Sequence, residues 1–338
     1  MSSPTDALIA RLREARALDK LVGKSPAFLA AIAPVLAVAK SDATVLLTGE
    51  TGTGKELVAH AVHYLSHRAG HPFSPVNCGS LPDALLEDEL FGHEPGAFTD
   101  ARARREGLLT ETHKGTLFLD EVDSLTPRGQ VALLRLLQDR MFRPLGSSRQ
   151  VQADVRFLAA TNVPLEQLAR MGSFRTDLYY RLSVITIHLP PLRERREDIP
   201  LLAGHFIEKH TPSGQHSPRL SPEARRALMA FDWPGNIREL ENVIHRGILL
   251  GDGETVRFED LALPAEEEAP VDQGPVAGES YQRQKRQVIA QFEHKYLTQL
   301  MTQYRGNVSQ AARAAGKERR ELGRLLKKHQ LDRAAFLT

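Results

Sequence analysis

The stretch TVLLTGETGTGKE, residues Thr44–Glu56, decides the fold of this chain. Its first part, Thr44–Thr48, is a β-branched apolar run typical of a buried strand, and a helical pattern follows from Leu57 to Leu65. The glycine-rich loop between them has the spacing GxxxxGK, so the order of elements is strand, phosphate-binding loop (P-loop) and helix. An ordinary glycine-rich turn is the alternative, and the full spacing between a strand and a helix argues against it.

The P-loop can bind the phosphates of a nucleotide. Its glycines let backbone amides turn inward around phosphate oxygens, the helix N-terminus adds its positive end, and Lys55 can reach the outer phosphates. Glu56 departs from the general pattern, because Ser or Thr normally binds Mg²⁺ at that position. The predicted nucleotide-binding residues of the loop are Gly49, Glu50, Thr51, Gly52, Thr53, Gly54, Lys55 and Glu56.

A second motif, Gly115–Glu121 (GTLFLDE), is another apolar strand and ends in two carboxylates. We interpret it as a Walker B element, in which Asp120 holds Mg²⁺, usually through water, and Glu121 polarises the water that attacks the γ-phosphate. Phosphoryl transfer depends chiefly on positioning and charge neutralisation, so Lys55, Asp120 and Glu121 are predicted to be catalytic. A buried strand with a solvated acidic end is the alternative.

Length and composition favour a multidomain protein of the cytoplasm. The 338 residues suggest two or three domains, and a hydrophobic content of 41% is enough for a core. The single cysteine, Cys78, excludes an internal disulfide, and the N-terminus does not have the pattern of a signal peptide. No apolar run approaches the ~20 residues that span a membrane, so we expect no membrane partner.

The net charge of +2 conceals an asymmetry along the chain. Residues 281–338 contain 13 Lys and Arg against 4 Asp and Glu, a local charge of +9, which leaves −7 for residues 1–280. A basic module on a mildly acidic body predicts a polyanionic partner for that module.

Apolar strand candidates alternate with helical stretches, which favours an α/β fold with a parallel sheet covered by helices. The strand candidates are Val45–Thr48, Phe73–Asn77, Thr116–Asp120, Val155–Thr161 and Ile185–Leu189. After Pro190 the pattern becomes helical, which is typical of a small all-helical lid. The predicted lid helices are Ile199–His210, Pro222–Ala230 and Ile237–Leu249.

We expect five segments along the chain, and we find no internal repeat. These segments are a short N-terminal arm (1–20), an α/β core (21–190), a helical lid (191–260), a flexible linker (261–280) and a C-terminal all-α domain (281–338). The linker is rich in Gly, Pro and Glu, a composition that cannot bury much apolar surface.

The C-terminal domain is predicted to bind double-stranded DNA through a helix-turn-helix. An amphipathic helix is predicted at Val288–Tyr304, and Asn307 resembles the N-cap of a helix at Val308–Ala315. Gly316 makes the turn to a basic second helix, Glu318–His329, which would enter the major groove. The predicted DNA-binding residues are Arg319, Arg320, Arg324, Lys327 and Lys328. A solvated basic helix is the alternative.

Six motifs in the same order make the chain similar to the AAA+ bacterial enhancer-binding proteins, the NtrC-like activators of sigma-54 RNA polymerase. The motifs are Gly49–Glu56, Glu89–Gly96 (ELFGHEPG), Gly96–Ala101 (GAFTDA), Gly115–Glu121, Pro190–Arg195 (PPLRER) and Trp233–Leu240 (WPGNIREL). The resemblance covers about Leu21 to Leu250 and, less tightly, the C-terminal domain, which resembles a Fis-type domain. It implies an AAA+ P-loop sheet with an α-helical lid, hydrolysis of ATP, and ATP and Mg²⁺ as cofactors. The family itself usually carries Glu at the position of Glu56.

The resemblance also implies roles for polar residues outside the P-loop. Asn77 is similar to the family's switch residue, whose amide holds the Walker B glutamate until the γ-phosphate is sensed. Thr161 and Asn162 resemble the sensor that reads the γ-phosphate or the attacking water. Arg238 stands where the family places its second sensor, so these three residues join the predicted ATP site.

The segment Phe174–Leu182 resembles the region that supplies arginine fingers to the neighbouring subunit. Arg175 and Arg181 are the candidates, and such an arginine raises the rate of hydrolysis by several orders of magnitude in analogous enzymes. The resemblance therefore implies that the active site forms between subunits of a homo-oligomeric, hexameric ring. An ordinary ion pair between subunits is the alternative for each arginine.

The loop Gly96–Ala101 resembles the family's sigma-factor contact. The segment is turn-prone, and we expect the aromatic ring of Phe98 to be unpaired. We expect Phe98, Thr99 and Asp100 to make the contact, although the family usually has Gly at the position of Asp100. Gly adopts a positive φ freely, whereas Asp does so at some cost.

Two functions are compatible with this sequence. The one we favour is an ATP-dependent transcriptional activator that binds upstream DNA, assembles into a ring and remodels the closed complex of sigma-54 RNA polymerase through Gly96–Ala101. The other is a DNA-binding regulator or repressor whose ATPase only controls oligomerisation. The arm of residues 1–20 is too short for a receiver or a ligand-sensing domain, so we expect control by a regulatory protein acting in trans, by expression level or by a domain that the chain lacks.

Overall fold

A parallel sheet forms the centre of the larger of two structural units, Met1–Leu263 and Pro264–Thr338. The computed structural model describes residues 21–80, 82–212, 214, 216–251, 253–263, 297–298, 300–301, 304, 307–315, 317 and 319–329. The predicted N-terminal arm, most of the predicted linker, most of the predicted helix 288–304 and the predicted turn at Gly316 lie outside the described residues.

Five strands pair in one sheet, and every pairing in it is parallel. The strands in chain order are β1 (Val45–Thr48), β2 (Phe73–Asn77), β3 (Gly92–His93), β4 (Arg105–Glu106), β5 (Thr116–Asp120), β6 (Met141–Phe142), β7 (Val151–Gln152), β8 (Arg156–Thr161), β9 (Ile185–His188), β10 (Arg219–Leu220) and β11 (Thr255–Val256). The order in the sheet is β2-β5-β8-β1-β9. The prediction of a parallel α/β sheet is confirmed, with strand bounds that differ from the predicted ones by at most one residue.

The remaining strands have two residues each and form the pairs β3–β4, β6–β7 and β10–β11. These strands are not predictable from the sequence, because a strand of two residues is too short to show an alternating pattern. The antiparallel pair β3–β4 brackets the loop Gly96–Ala101 and holds its two ends together.

The sheet is buried on both faces. Leu46 and Phe157 belong to the apolar cluster on one face, whereas Val45, Leu47 and Leu158 belong to the cluster on the other. Strands buried on both faces read as continuous apolar runs, because successive side chains point to opposite sides. This explains the unbroken apolar stretch before the P-loop.

Helices cover the sheet and form the lid. They are, in chain order, α1 (Pro26–Ile32), α2 (Val35–Ala39), α3 (Lys55–Tyr64), α4 (Asp83–Phe91), α5 (Leu108–Glu111), α6 (Pro127–Asp139), α7 (Leu165–Arg170), α8 (Thr176–Leu182), α9 (Ile199–His210), α10 (Pro222–Ala230), α11 (Asn236–Leu250), α12 (Phe258–Leu261), α13 (Val308–Ala314) and α14 (Arg319–Lys328). Ser25, Thr126 and Ser221 cap α1, α6 and α10, and each is followed by a proline that suits the first helical turn. In the part of the chain that the structure describes, no helix is long and apolar enough to cross a bilayer.

The predicted helical lid is confirmed: α9, α10 and α11 are its three predicted helices, and the short helix α12, which was not predicted, packs with them in the cluster around Trp233. The indole has no exposed surface, and its Nε1–H donates to the carbonyl of Leu228 at 2.9 Å. The chain has a positive φ at Trp233 (55°) and at Asn236 (54°). The motif WPGN is therefore a tight turn that starts α11.

The described part of the second unit contains α13 and α14, which bury Ala311, Ala312, Leu322 and Leu326. Asn307 caps α13, since its Oδ1 accepts the amide hydrogens of the second and third residues after it at 3.2 Å each. The five basic side chains predicted to bind DNA, Arg319, Arg320, Arg324, Lys327 and Lys328, are all exposed on α14. This arrangement suits a helix-turn-helix, and DNA binding stays a prediction.

Candidate nucleotide-binding site

The carboxyl edge of the sheet collects the predicted site residues. Asn77 ends β2 opposite Asp120 at the end of β5, and Thr48 ends β1 opposite Thr161 at the end of β8. Parallel strands bring their carboxyl ends to one edge, and open α/β sheets bind ligands at that edge. The P-loop leaves β1 from the same edge and enters α3 at Lys55.

The P-loop needs its three glycines. Gly49, Gly52 and Gly54 have φ values of 146°, 78° and 101°, which side chains rarely adopt. A Cβ on Gly52 would also lie 2.3 Å from the carbonyl oxygen of Gly235, and one on Gly49 would lie 2.7 Å from the carbonyl oxygen of Leu189. The spacing recognised in the sequence is therefore fixed both by backbone conformation and by close packing.

Lys55 lies across the P-loop. Its Nζ donates to the carbonyl oxygens of Gly49 at 2.8 Å and Glu50 at 3.1 Å. Burial lowers the pKa of the ammonium, while Asp120 and Asp123 oppose that shift. The ammonium therefore lies between the loop carbonyls and the acidic end of β5.

The two carboxylates after β5 have different environments. Asp120 is half-buried, and its Oδ1 accepts the N–H of Glu121 at 3.0 Å. Burial raises the pKa of Asp120, and that hydrogen bond and Lys55 oppose the rise. Glu121 has a φ of 54°, a left-handed conformation that is uncommon for a residue with a side chain. Such strain is often found at functional sites.

Thr161 and Asn162, the predicted sensor, join the acidic edge to the P-loop. The Oγ1 of Thr161 donates to Oδ1 of Asp123 at 2.7 Å, and the Nδ2 of Asn162 donates to Oγ1 of Thr51 at 3.1 Å. The structure therefore brings this predicted pair into the site.

Asn77, the predicted switch, does not hold Glu121 in this structure. The Oδ1 of Asn77 accepts the N–H of Gly79 at 2.8 Å, and no hydrogen bond joins the side chains of Asn77 and Glu121. The carboxylate of Glu121 is nevertheless close, because a Cβ on Gly79 would lie 2.9 Å from its Oε2. The expected contact is therefore absent, although both residues lie at the same edge.

The lid contacts the P-loop through residues that the sequence analysis did not predict. The side chain of Asn236 donates to the carbonyl of Thr51 at 3.1 Å and accepts the N–H of Leu192 at 2.7 Å. Arg193 donates two hydrogen bonds to the carboxylate of Glu50, from Nη1 at 2.8 Å and from Nη2 at 2.6 Å. The motifs PPLRER and WPGNIREL marked this region, but their spacing does not say that they meet at the P-loop.

Glu50 belongs to the P-loop, and its carboxylate hydrogen-bonds to two residues of the lid region, Arg193 and Asn236. Arg193 first, and Asn236 second, lower the pKa of its carboxyl to about 2. A carboxylate fixed by a guanidinium is a poor phosphate ligand, so any contribution of Glu50 to nucleotide binding comes from its backbone.

The three predicted arginines of the catalytic cycle are all exposed. Arg238 follows the lid turn, and its Cβ lies 3.2 Å from where a Cβ on Gly52 would be. Arg175 pairs with Asp177 at 2.8 Å, and Arg181 lies on the same helix, α8. Within the described residues, neither Arg175 nor Arg181 hydrogen-bonds to the P-loop or the acidic edge of its own chain.

A cavity of about 390 Å³ opens beside the P-loop and the N-terminus of α3. Its walls are mostly apolar and come from the segment before α1, from α3 and from the lid. The lining includes Leu21, Val22, Phe28, Thr53, Gly54, Leu57, Arg195, Phe206 and Ile237. The size and the largely apolar walls suit the nucleoside part of a nucleotide.

The loop Gly96–Ala101 forms a separate exposed surface. Phe98 is 45% exposed, but the prediction that its ring is unpaired is wrong, because the ring lies edge-on to His93 with centroids 4.9 Å apart. His93 is buried and hydrogen-bonds to Asp88 at 2.6 Å, a contact between residues that the sequence analysis did not consider. Asp100 is exposed and does not have a positive φ, whereas Gly96 has a φ of 83°. The substitution of Asp for Gly therefore causes no backbone strain here.

We predict that the Glu50–Arg193 pair contributes a stability that depends on pH. The pKa of Glu50, about 2, lies below its ordinary value of 4.5, so the contribution is full above pH 4.5 and is lost as the pH falls towards 2. The thermal midpoint of Glu50→Gln should lie below that of the unsubstituted protein near neutral pH, and the difference should shrink below pH 4.5. The effect will be small, because both groups are partly exposed.

Glu166→Gln, which alters an exposed pair on α7, is the matched control and should lower the midpoint less at neutral pH. A difference for Glu50→Gln that stays constant with pH would contradict the assignment.

Comparison with known proteins assigns the two parts of the chain that form the site to known domain families. Residues 21–188 match the sigma-54 interaction domain, and residues 193–277 match the AAA+ ATPase lid domain. The chain is similar to the transcriptional regulatory protein ZraR of Escherichia coli K12, with 44% identity over 303 residues that cover 89% of this chain and 67% of the relative. It is also similar to the regulatory protein AtoC of the same strain, with 42% identity over 93% of this chain and 68% of the relative.

A solved structure agrees with this assignment. The crystal structure of NtrX from Brucella abortus in complex with ATP is 36% identical, with a TM-score of 0.67, and the match covers 91% of this chain and 68% of that one. The chain therefore belongs to the sigma-54-dependent, NtrC-like transcriptional activators, whose sigma-54 interaction domain is an AAA+ ATPase.

Proposed function

We propose that this protein binds upstream DNA, assembles into a ring and uses ATP hydrolysis to remodel the closed complex of sigma-54 RNA polymerase. The observation that carries the proposal is the meeting of the P-loop, the acidic end of β5 and the lid at one edge of the sheet, on the same unit as the exposed loop Gly96–Ala101. In the proposal, residues 21–190 hydrolyse ATP, residues 191–260 form the lid, and residues 281–338 bind DNA and follow a linker of residues 261–280.

The placement of ATP follows from the donors at the site. The amides of the P-loop and Lys55 face the phosphates, and the cavity beside Thr53 and Gly54 takes the nucleoside. Thr161, Asn162 and Arg238 lie where they can respond to the terminal phosphate. The similar protein NtrX was solved in complex with ATP, which supports ATP as the ligand.

The residues present also fit Mg²⁺. Asp120 offers a half-buried carboxylate. Burial raises the pKa of Asp120, and the negative charge of Glu56 lies close enough to raise it further. Among the described residues no three His, Cys, Asp or Glu side chains form a metal cluster, but Mg²⁺ commonly takes one or two carboxylates and completes its shell with phosphates and water. Bound Mg²⁺ neutralises charge on the phosphates.

Hydrolysis needs a base for the attacking water. Glu121 lies at the same edge as Asp120, and its left-handed backbone fixes the direction in which its carboxylate leaves the strand. We assign to Glu121 the polarisation of the water, to Lys55 the binding of the outer phosphates, and to Asn77 the sensing of the γ-phosphate through an amide that can move from Gly79 to Glu121.

Arg175 and Arg181 are proposed to complete the site of a neighbouring subunit. Both are exposed, Arg175 directly before α8 and Arg181 in its last turn, and Arg175 is held by Asp177 rather than by a phosphate-site residue of its own chain. An exposed arginine that makes no contact with its own site is available to the site of the next subunit, and a repeated head-to-tail contact forms a ring when its rotation closes.

The polymerase contact is proposed at Phe98, Thr99 and Asp100, the exposed tip of the loop between β3 and β4. The DNA contact is proposed at the basic side chains of α14, which would give an affinity that falls with salt. A regulatory protein acting in trans remains part of the proposal for control.

Asp100 is the one observation that favours the alternative of a regulator that does not remodel polymerase. It places a negative charge next to Phe98 and Thr99, where the family usually has Gly. Membership of an activator family favours activation.

We predict that mixing two inactive variants restores ATP hydrolysis. Arg175→Ala subunits keep an intact P-loop, and Lys55→Ala subunits keep an intact Arg175. In an equal mixture about a quarter of the interfaces of a randomly assembled ring combine both. Arg175→Ala alone should lose on the order of 10³-fold in rate, because a finger supplies stabilisation of that size, and Lys55→Ala alone should not hydrolyse ATP, because it lacks the lysine that binds the outer phosphates. Phosphate release by each variant and by the mixture is the measurement.

Arg170→Ala, which removes an exposed arginine on α7, is the control and should hydrolyse ATP at the normal rate. If the mixture of Arg175→Ala and Lys55→Ala never exceeds its components, Arg175 does not act on a neighbouring site. The same design applies to Arg181→Ala.

The proposed function is tested by open-complex formation on a sigma-54 promoter with purified components. The unsubstituted protein with ATP should form open complexes. Glu121→Gln should bind ATP without hydrolysing it, whereas Phe98→Ala should bind DNA and hydrolyse ATP without opening the promoter. Leu201→Ala, which truncates a side chain of similar exposure on α9, should behave as the unsubstituted protein does.

Promoter opening by Phe98→Ala at the normal rate would contradict the role of the loop. If the unsubstituted protein binds DNA and hydrolyses ATP but forms no open complex, the alternative function is supported. Asp100→Gly should leave activation unchanged or improve it.

A further inference from the structure

Gln130 is a buried amide in the first turn of α6 that hydrogen-bonds to the backbone of two other segments. Its exposed fraction is 2%. Its Nε2 donates to the carbonyl of Leu125 at 2.9 Å and to the carbonyl of Ser173 at 3.3 Å, and its Oε1 accepts the N–H of Arg175 at 2.9 Å. One side chain therefore joins the segment before α6 to the segment before α8.

This position requires the chemistry of an amide. A backbone carbonyl can only accept a hydrogen bond and a backbone N–H can only donate one, so the group among the three must offer two donors and an acceptor. A charged glutamate has no donor, and methionine has no N–H. Buried polar groups are almost always paired, and loss of Gln130 would leave three backbone groups without this partner.

The first of the two segments follows the acidic end of β5. Leu125 comes directly after the short 3₁₀ helix Val122–Ser124, which begins after Glu121. The carbonyl of Glu121 accepts the N–H of Ser124 at 2.9 Å, which closes this turn. The carbonyl that Gln130 binds therefore lies at the end of the turn that starts from the proposed catalytic carboxylate.

The second segment carries Arg175 to the surface. Its backbone N–H is bound by Gln130, whereas its side chain is exposed and pairs with Asp177 at 2.8 Å. Arg175 is also the residue directly before α8, and its backbone is extended. A side chain of fixed length reaches a defined region only if its backbone is fixed. The hydrogen bond from Arg175 to Gln130 therefore determines which positions outside the subunit the guanidinium can reach.

We propose that Gln130 is a positioning residue, which holds the backbone at Arg175 so that the guanidinium reaches the ATP site of the neighbouring subunit. This inference rests on the proposed role of Arg175 as an arginine finger. Because Gln130 also binds the carbonyl of Leu125, it joins the acidic edge of one site to the arginine that completes the next.

The main effect of removing Gln130 falls on the neighbouring site. Two of its three hydrogen bonds go to the segment that carries Arg175, and one goes to the segment after Glu121. The backbone of Glu121 has other partners, since its N–H donates to Oδ1 of Asp120 and its carbonyl accepts from Ser124. Loss of the amide therefore frees the arginine more than it frees the carboxylate.

Mixed rings separate an effect on the neighbouring site from an effect on the subunit's own site. Gln130→Met keeps the length of the side chain and removes the three hydrogen bonds. Phosphate release is measured for Gln130→Met alone, for its equal mixture with Lys55→Ala and for its equal mixture with Arg175→Ala. Gln130→Met alone should lose about 10²-fold in rate, the size that a displacement of about 1 Å costs.

The two mixtures have opposite expected results. Gln130→Met keeps an intact P-loop and Lys55→Ala keeps a correctly held Arg175, so about a quarter of the interfaces in their mixture combine both and the rate should rise about tenfold above that of either component. The mixture with Arg175→Ala should not exceed its components, because neither variant supplies a positioned arginine. A defect in the subunit's own site would give the reverse pattern.

Gln138→Met is the matched control, since Gln138 is an exposed glutamine on the same helix, and it should hydrolyse ATP at the normal rate. The inference is overturned if Gln130→Met hydrolyses ATP normally or if its mixture with Lys55→Ala does not exceed its components. It is also overturned if activity returns in the mixture with Arg175→Ala.

The mixture of Arg175→Ala with Lys55→Ala distinguishes the failure of this inference from that of the proposed function. If that mixture gains no activity, the proposed role of Arg175 fails and this inference fails with it. If it gains activity and Gln130→Met does not follow the expected pattern, this inference alone fails.

Hydrogen exchange resolved to single residues tests the inference on the unsubstituted protein if Gln130→Met does not fold. The N–H of Arg175 should exchange at least about tenfold more slowly than in an unstructured peptide, because Gln130 holds it. Exchange at the rate of the peptide would overturn the inference.

Discussion

The amide of Asn236 is the contact on which the site depends. It has no exposed surface, its Oδ1 accepts the N–H of Leu192, and its Nδ2 donates to the carbonyl of Thr51. One side chain thus joins the start of the lid, the turn before α11 and the P-loop. The residue must also adopt a φ of 54°, which Asn tolerates better than most residues with a side chain. Asparagine therefore meets the conformational and the hydrogen-bonding requirement together.

This contact ties the orientation of the lid to the conformation of the P-loop. The amide of Ile237 donates to the carbonyl of Gly52, Arg193 holds Glu50, and Arg195 holds the carbonyl of Thr53, so consecutive residues of the loop each contact the lid. A change at the phosphates can reach the lid through these bonds. The other end of the same sheet edge leads towards the loop Gly96–Ala101, because β2 ends at Asn77 and is followed by α4 and then by β3, where the loop begins. The P-loop and the acidic end of β5 therefore lie between the lid and the element that leads to this loop.

The sequence predicted the sheet, the P-loop, the acidic strand end and the lid, because each has a local signal in apolar periodicity or in residue spacing. It did not predict that Asn236, Arg193 and Arg195 meet the P-loop, since those contacts join positions more than 140 residues apart. It also failed for the pairing of Phe98 with His93, because no pattern marks an edge-on contact between rings. The short strands β3 and β4 were missed because two residues carry no period. The sequence thus predicts the elements and motifs that have local patterns, whereas contacts between positions far apart in the chain are known only from the structure.

The central claim, that Asn236 couples the lid to the P-loop, is tested most directly by the distance between lid and core. Spin labels on Met171→Cys and Arg226→Cys, both at well-exposed positions, would report that distance, and the native cysteine, Cys78, is buried. With ADP bound, the protein that retains Asn236 should give one narrow distance distribution. Asn236→Gly keeps the positive φ without the amide, so it should broaden or shift the distribution. Identical distributions for the two proteins would contradict the claim.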